Sequence, residues 1–124
     1  GALTKPLTGT ISNTAANIAP IPADRFYSLA IAASGTSPSV VIYPNYSGCV
    51  RAKAITGIAP RAVLNKPVTV QLATNKGTAT KRINTVGDTP EVTTDLAGID
   101  QLRYAAYSDE SFQIDANLSM LCSN

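Results

Sequence analysis

Histidine is absent from this 124-residue chain, and cysteine occurs only twice. Histidine is the most common general base in enzymes, the usual partner of a serine or cysteine nucleophile, and a frequent metal ligand. The two cysteines stand far apart and do not form the C-x-x-C spacing of a structural zinc site. The sequence therefore excludes triads and zinc sites built on histidine. It predicts a protein that is not an enzyme and that carries no cofactor or metal.

Long apolar runs and phosphate-binding motifs are also missing. The longest apolar runs, such as residues 29–33 and 39–43, fall far below the roughly 18 residues of a membrane helix, so we expect no membrane partner. No glycine-rich nucleotide-binding pattern occurs, which excludes the familiar phosphate-cradling loops. Residues 1–6 lack the basic and apolar regions of a signal peptide, although an already cleaved signal peptide is compatible with the sequence.

Charged residues are scarce, at 15% of the chain against about 25% in an average soluble domain. Hydrophobic residues make up 44%, which is enough for one buried core at this length. The surface must then consist largely of hydroxyl and amide groups, as is common in extracellular β proteins and in viral shells. The composition predicts a single domain located in a virion or outside the cell.

The two cysteines, Cys49 and Cys122, both lie in apolar, strand-like surroundings. Such surroundings favour two buried free thiols. One disulfide is the alternative if the protein is secreted, and the sequence does not decide between the two states.

Two regions of the chain differ in their residue pattern. Residues 1–24 contain Pro6, Pro20 and Pro22 and show neither a helical nor an alternating period, which predicts an extended N-terminal arm. Residues 25–124 consist of short β-branched and aromatic segments, separated by Gly, Pro and Asn about every ten residues. We predict one all-β domain there, a β-sandwich of about seven or eight short strands with jelly-roll or immunoglobulin-like topology. A small barrel is the alternative.

The clearest strand is predicted at residues 112–122, where apolar and polar residues alternate without interruption. Its apolar positions are Phe112, Ile114, Ala116, Leu118, Met120 and Cys122. Residues 68–72 alternate in the same way, and the turn-forming Asn75 and Gly77 predict a hairpin that returns through residues 78–85. We also expect strands at residues 62–64 and 101–108 and a loop at 87–98. Room for a short helix exists only within residues 95–106.

Positive and negative charges are separated along the sequence. The proposed basic interaction face consists of Arg51, Lys53, Arg61, Lys66, Lys76, Lys81 and Arg82, and residues 25–87 contain no acid. The proposed acidic partner face consists of Asp88, Glu91, Asp95, Asp100, Asp109, Glu110 and Asp115. Three interpretations stay open: neutralisation within one sheet, pairing between subunits, and nucleic-acid binding by the basic face. The third is the weakest, because few aromatic residues accompany the basic ones.

Other candidate sites rest on weaker patterns. A pair of these carboxylates could hydrolyse a glycosidic bond, or those between Asp88 and Asp100 could bind calcium, but no spacing selects either chemistry. The tyrosines could form a sugar-stacking or partner-binding patch. Tyr104 is expected in the core, whereas Tyr46 lies in a turn and is the aromatic residue expected to be exposed.

Two functions fit these features best. The first is a structural protein that self-assembles as a homo-oligomer or shell, as a coat or capsid decoration protein of a virus or bacteriophage, with other virion proteins as further partners. The second is a secreted or surface-exposed binding module, such as a pilus subunit, an adhesin or a carbohydrate-binding domain. In a pilus subunit, residues 1–24 would serve as the strand donated to a neighbour.

Overall fold

A computed structural model describes the backbone of residues 6–11, 17–18, 26–42, 49–96 and 101–122, and the side chains of residues 29–42, 50–96 and 101–120. These residues form ten strands and no helix. The first five strands are β1 (Pro6–Ile11), β2 (Asn17–Ile18), β3 (Phe26–Gly35), β4 (Ser39–Ile42) and β5 (Cys49–Ile58). The second five are β6 (Val68–Thr74), β7 (Gly77–Ile83), β8 (Glu91–Asp95), β9 (Leu102–Tyr107) and β10 (Phe112–Cys122).

The ten strands form two five-stranded sheets that pack as a β-sandwich, which confirms the predicted fold class. Sheet A has the order β1-β3-β10-β5-β8, and sheet B has the order β2-β4-β9-β6-β7. The predicted number of strands is also confirmed for the region after residue 25, where the described residues form eight strands. The other two strands lie within residues 1–24.

Strands β3 to β10 are connected as a jelly roll. Four antiparallel pairs run along the chain, β6 with β7, β5 with β8, β4 with β9, and β3 with β10. Together, these four pairs form one long two-stranded hairpin, the ribbon, whose tip is the β6–β7 turn. When this ribbon rolls up, β10 also pairs with β5 and β9 with β6, which completes the two sheets. This connectivity selects the jelly roll over the immunoglobulin-like alternative.

The core lies between the sheets and follows the period of two that a half-buried strand requires. In β10, the even-numbered residues from Phe112 to Met120 are buried, and the odd-numbered residues from Gln113 to Asn117 are exposed. In β6, Val68, Val70 and Leu72 are fully buried against the opposite sheet. The predicted strand at residues 112–122 and the predicted hairpin of β6 and β7 are both confirmed.

One polar contact crosses this core. The Thr56 Oγ1 of β5 and the Tyr104 hydroxyl of β9 are 2.7 Å apart, and both residues have no exposed surface. Burial raises the pKa of the Tyr104 hydroxyl, and the hydrogen bond with Thr56 opposes this effect only in part. Tyr104 therefore stays neutral and joins sheet A to sheet B, which confirms its predicted place in the core.

Two local predictions were wrong. Residues 62–64 are not a strand, because the chain turns at Pro60 and Arg61 and then crosses between the sheets. The predicted loop at 87–98 contains β8, which pairs with β5. The strand expected at residues 101–108 is confirmed as β9, since Leu102, Tyr104 and Ala106 are buried while Arg103 is exposed, which is the period of a strand and not of the short helix for which residues 95–106 left room.

The N-terminal strands lie outside the ribbon and pair in parallel with its first two strands. Residues 6–11 of β1 pair with residues 28–33 of β3, and Asn17 and Ile18 of β2 pair with Val40 and Val41 of β4. Each N-terminal strand thus occupies the edge of one sheet. The boundary between an arm at residues 1–24 and a body at 25–124 stays a prediction.

Candidate functional site

The exposed face of sheet A carries charges of both signs on adjacent strands. Lys53 of β5 and Glu91 of β8 form an ion pair with 3.7 Å between Nζ and Oε1. Arg51 lies directly opposite Asp95 in the same strand pair. Both side chains of the Lys53 pair are about half exposed, so this contact contributes little to stability. Its importance is that part of the basic segment is neutralised by part of the acidic segment within one molecule.

The jelly roll explains why this neutralisation occurs. The change from basic to acidic residues at Asp88 falls shortly after the ribbon tip at residues 75–77. Strands before the tip pair with strands after it, so a basic strand such as β5 acquires an acidic neighbour. The charge separation along the sequence is therefore partly cancelled across sheet A.

The remaining candidate charges are distributed over several places. Arg61 lies in the turn after β5, Lys66 precedes β6, Lys76 lies in the β6–β7 turn, and Lys81 and Arg82 lie on β7. Asp88 precedes β8, Asp109 and Glu110 lie in the turn between β9 and β10, and Asp115 lies on β10. Asp100 and Tyr46 lie outside the described residues. Arg51 and Lys53 lie on the outer face of sheet A and Arg82 on that of sheet B, so these basic residues are not brought together on one face. That the acidic residues form a partner face stays a prediction.

Asp88 has a structural role in the loop between β7 and β8. Its Oδ2 accepts hydrogen bonds from the backbone N–H groups of Asn84 (2.9 Å) and Thr85 (3.0 Å). These hydrogen bonds, that from Asn84 first, lower the pKa of the Asp88 carboxyl from its ordinary value of 3.8. The charged form is stabilised by the loop itself, as expected of a carboxylate that closes a turn.

The outer face of sheet B is polar and basic. Thr69 of β6 lies between Arg82 of β7 and Tyr107 of β9, and Arg103 lies on the same face of β9. Tyr107 is 42% exposed, and its hydroxyl lies 3.5 Å from the Gln71 amide nitrogen. No acid occurs at the outward positions of β4, β6, β7 and β9. An exposed aromatic ring beside amide, hydroxyl and guanidinium groups suits a hydroxyl-rich or anionic ligand.

A groove of ≈ 630 Å³ opens at the end of sheet A where β3 ends and β10 begins. Its polar lining comes from Ser34, Arg61, Asn65, Ser111 and Gln113. Among the described lining residues, no histidine or acid accompanies the hydroxyls of Ser34 and Ser111. The groove can therefore bind polar groups through these side chains.

Arg61 holds an unusual backbone conformation beside this groove. The Ala62 N–H donates to the Ala59 carbonyl at 3.0 Å, which closes a turn with Pro60 and Arg61 at its centre. Arg61 has φ = 67°, in the left-handed region that glycine occupies without strain. The turn is fixed to β10 because the Ala59 N–H donates to the Gln113 carbonyl at 3.0 Å.

Sequence reasoning missed the groove and the sheet B face. The groove combines residues of β3, β10 and the segment after β5, which are distant in the sequence. The alternation in residues 68–72 and the strand expected at residues 101–108 gave signals for two strands of the sheet B face, but neither segment shows that the two strands pair with each other. Among the described residues, no group of three or more carboxylate or cysteine side chains is placed to hold a metal ion. The described part of the chain also contains no helix that is long and apolar enough to cross a membrane.

Comparisons with known proteins detect similarity at the level of structure. No protein-family model matches the chain, and no curated protein sequence is significantly similar to it. Among solved structures, a protein of the Bacillus endospore appendages, described as disulfide-linked pili, is 16% identical, with a TM-score of 0.44 over 80% of this chain and 90% of that chain. A family 11 carbohydrate-binding module from Clostridium thermocellum is 9% identical, with a TM-score of 0.38 over 79% and 88% of the two chains.

A further likeness concerns part of a much longer protein. The insecticidal crystal protein Cry2Aa is 7% identical, with a TM-score of 0.46 over 83% of this chain but only 22% of its own length. At these identities, the likenesses concern the fold and not the function.

Proposed function

We propose that this protein is a non-enzymatic subunit exposed at a cell surface, where it assembles with copies of itself in the manner of a pilus subunit. The observation that carries the proposal is the position of β1. It pairs in parallel with β3 at the edge of sheet A and lies outside the hairpin ribbon that builds the sandwich. A second copy of this chain can offer the same strand to the same edge.

The slot that β1 occupies is defined by β3 alone. Six consecutive residues of β3, from Ser28 to Ala33, pair with β1, while the other side of β3 pairs with β10 along its whole length. Without β1, the backbone groups on one side of β3 would lack a strand partner. An unpaired edge of this kind accepts an added strand from its own chain or from a neighbour, because the main-chain hydrogen bonds are the same.

The opposite edges of the two sheets are less suited to adding a strand. Strand β8 at the edge of sheet A has only five residues and contacts β7, the edge of sheet B. On β7, Lys81 pairs with Val70 and so lies on the core-facing side of an edge strand while remaining exposed. Short edge strands and inward-facing charges are features that prevent edge-to-edge association. The edges at β1 and β2 are therefore where we expect subunits to join.

A surface location is supported by composition. The chain has few charged residues and many Thr, Ser and Asn residues, as is common among extracellular β proteins. The same composition suits a virion component, but neither the geometry nor the comparisons add support for that interpretation. The cell surface is the location that we propose.

The first experiment tests whether β1 supplied by another molecule can bind to the edge of β3. A chain lacking residues 1–24 is mixed with a synthetic peptide of residues 1–24, and binding is measured by isothermal titration calorimetry. We expect saturable binding of one peptide per chain. A peptide of scrambled sequence should not bind, and one with Thr8→Pro and Thr10→Pro should bind at least tenfold more weakly, because proline lacks the backbone N–H that a strand partner needs.

The chain of residues 1–124 provides the second measurement, which does not depend on the folding of the truncated chain. Unlabelled and ¹⁵N-labelled chains are mixed at high concentration, and native mass spectrometry detects mixed oligomers. The same analysis of the Thr8→Pro, Thr10→Pro variant should detect monomers. A wild-type chain that stays monomeric across concentrations and salt, together with no peptide binding to a folded truncated chain, would show that the proposal is wrong.

The outer face of sheet B supports carbohydrate binding as a second candidate function. Tyr107, Arg82 and Arg103 are exposed there around the polar Thr69 and Gln71. Affinity electrophoresis against neutral and acidic polysaccharides tests this function. Tyr107→Ala and Arg103→Ala should each abolish retardation, whereas Arg51→Ala on sheet A should not. Equal retardation of all variants, or none for the wild type, rejects this candidate.

A further inference from the structure

We infer that Cys49 and Cys122 form an intramolecular disulfide that fastens β5 to β10 in the middle of sheet A. Cys49 is the first residue of β5 and Cys122 is the last residue of β10. The two strands are antiparallel neighbours, and their register makes the two cysteines Cα partners. The inference goes beyond the proposed function and holds whether or not subunits exchange β1.

The expected separation of the two backbone positions fits a disulfide. Residues directly opposite each other in an antiparallel pair have Cα atoms about 4.5 to 5.5 Å apart. A disulfide bridges Cα atoms about 4.4 to 6.8 Å apart. Directly opposed residues also lie on the same face of the sheet, because the pleat alternates in both strands together. The register alone thus satisfies the main geometric requirement for the bond.

A bulge in the strand pair produces this register. Leu121 pairs with Arg51, but the next residue, Cys122, pairs with Cys49, so Val50 is the extra residue on β5. Without the bulge, Cys122 would pair with Val50 and the two cysteines would be out of register by one residue. Val50 is 41% exposed, as expected of a residue left outside the regular pairing. The irregularity therefore brings together the only two cysteines of the chain.

The position of the bond within the jelly roll gives it a mechanical role. Strands β5 and β10 are not partners along the ribbon, since β5 pairs there with β8 and β10 with β3. They become neighbours only when the ribbon rolls up. A covalent bond between them holds the rolled state closed at the C-terminal end of β10. This arrangement would preserve the sandwich when an edge strand leaves or is exchanged.

Formation of the bond requires an oxidant of the disulfide class. Two thiols lose two protons and two electrons as the S–S bond forms, and a small-molecule disulfide such as oxidised glutathione accepts them and becomes two thiols. The inference therefore also assigns the protein to an oxidising compartment, since structural disulfides persist there.

Mass spectrometry of the full chain tests the bond directly. Protein refolded with a mixture of oxidised and reduced glutathione is denatured and treated with iodoacetamide, with and without prior reduction. We expect no modified cysteine without reduction and two modified cysteines after it. Tryptic digestion without reduction should yield one species that joins residues 26–51 to residues 104–124, because cleavage after Arg25, Arg51 and Arg103 isolates the two cysteines.

Thermal unfolding with cysteine variants supplies the control. Reduction should lower the Tm of the wild type by on the order of 10 °C, since the bond closes a long loop, and it should leave the Cys49→Ser, Cys122→Ser variant unchanged. Two free thiols after refolding would overturn the inference. So would a disulfide-linked dimer of the wild type on a non-reducing gel, which would place the bond between subunits. Neither result bears on whether the peptide of residues 1–24 binds to the truncated chain.

Discussion

The hydrogen bond between Thr56 and Tyr104 permits a quantitative test of how the two sheets are joined. Both residues are fully buried, and the two oxygen atoms are 2.7 Å apart. Replacing Thr56 by Val exchanges the hydroxyl for a methyl group of similar size and leaves the Tyr104 hydroxyl without a partner in the core. A buried polar group left unpaired costs about 1–3 kcal/mol. The same range applies to Tyr104→Phe, which leaves the Thr56 hydroxyl unpaired.

The double variant should behave differently from the sum of the two single variants. With both hydroxyls removed, no unpaired polar group remains in the core, and the loss should approach the net value of one hydrogen bond, about 1 kcal/mol. We therefore expect an interaction energy of at least about 1 kcal/mol in the double-mutant cycle. The free energies of unfolding are measured by urea denaturation, with m-values compared to establish that the unfolding transition is unchanged.

Thr80→Val is the matched control, because Thr80 lies exposed on β7 and its loss should change stability by less than about 0.5 kcal/mol. If the effects of Thr56→Val and Tyr104→Phe add within about 0.5 kcal/mol, the two groups do not interact and the arrangement of β5 against β9 is incorrect. Destabilisation by the Thr80 control equal to that of Thr56→Val would likewise contradict the assignment of the effect to burial.

Two further predictions concern the loops. Arg61→Gly should raise the free energy of unfolding by up to about 1 kcal/mol, because glycine relieves the left-handed strain at φ = 67°. The control Arg82→Gly on β7 should lower it by about 0.5–1 kcal/mol. If urea denaturation finds Arg61→Gly no more stable than Arg82→Gly, the turn geometry is contradicted. The lowered pKa of Asp88 means that its contribution to stability is present above pH 3.8 and is lost as the pH falls below that value. The difference in stability between wild type and Asp88→Asn should therefore become smaller as the pH falls, which circular dichroism can monitor during an acid titration. A difference that stays constant from pH 7 to pH 2 would contradict this prediction.

Several elements of the fold could be predicted because their signal lies within one strand. The alternation in residues 112–122 requires only that one face be buried, and the hairpin at Asn75 and Gly77 requires only a tight turn between two alternating segments. Strand β8 gave no such signal, since Val92 is its one buried apolar residue and Thr93 and Asp95 resemble loop residues. Its identity as a strand depends on the neighbouring β5.

The candidate sites depended more strongly on tertiary structure. The charge separation at Asp88 is visible in the sequence, but its cancellation between Lys53 and Glu91 follows from the pairing of β5 with β8. The exposed Tyr107 face requires β6, β7 and β9 to lie side by side in one sheet. Sequence reasoning identified charged residues that could interact without identifying which of them would meet.

Four properties could be read from the amino-acid sequence alone: the all-β class, the approximate number of strands after residue 25, the position of the ribbon tip and the lack of histidine-based chemistry. These properties follow from composition and from a period of two, which are local. Tertiary structure decided the jelly-roll connectivity, the edge position of β1 and the bulge at Val50 that makes Cys49 and Cys122 partners. Pairing between strands distant in sequence depends on how the ribbon rolls to enclose its apolar side chains between the two sheets, and no single segment of the chain carries that information.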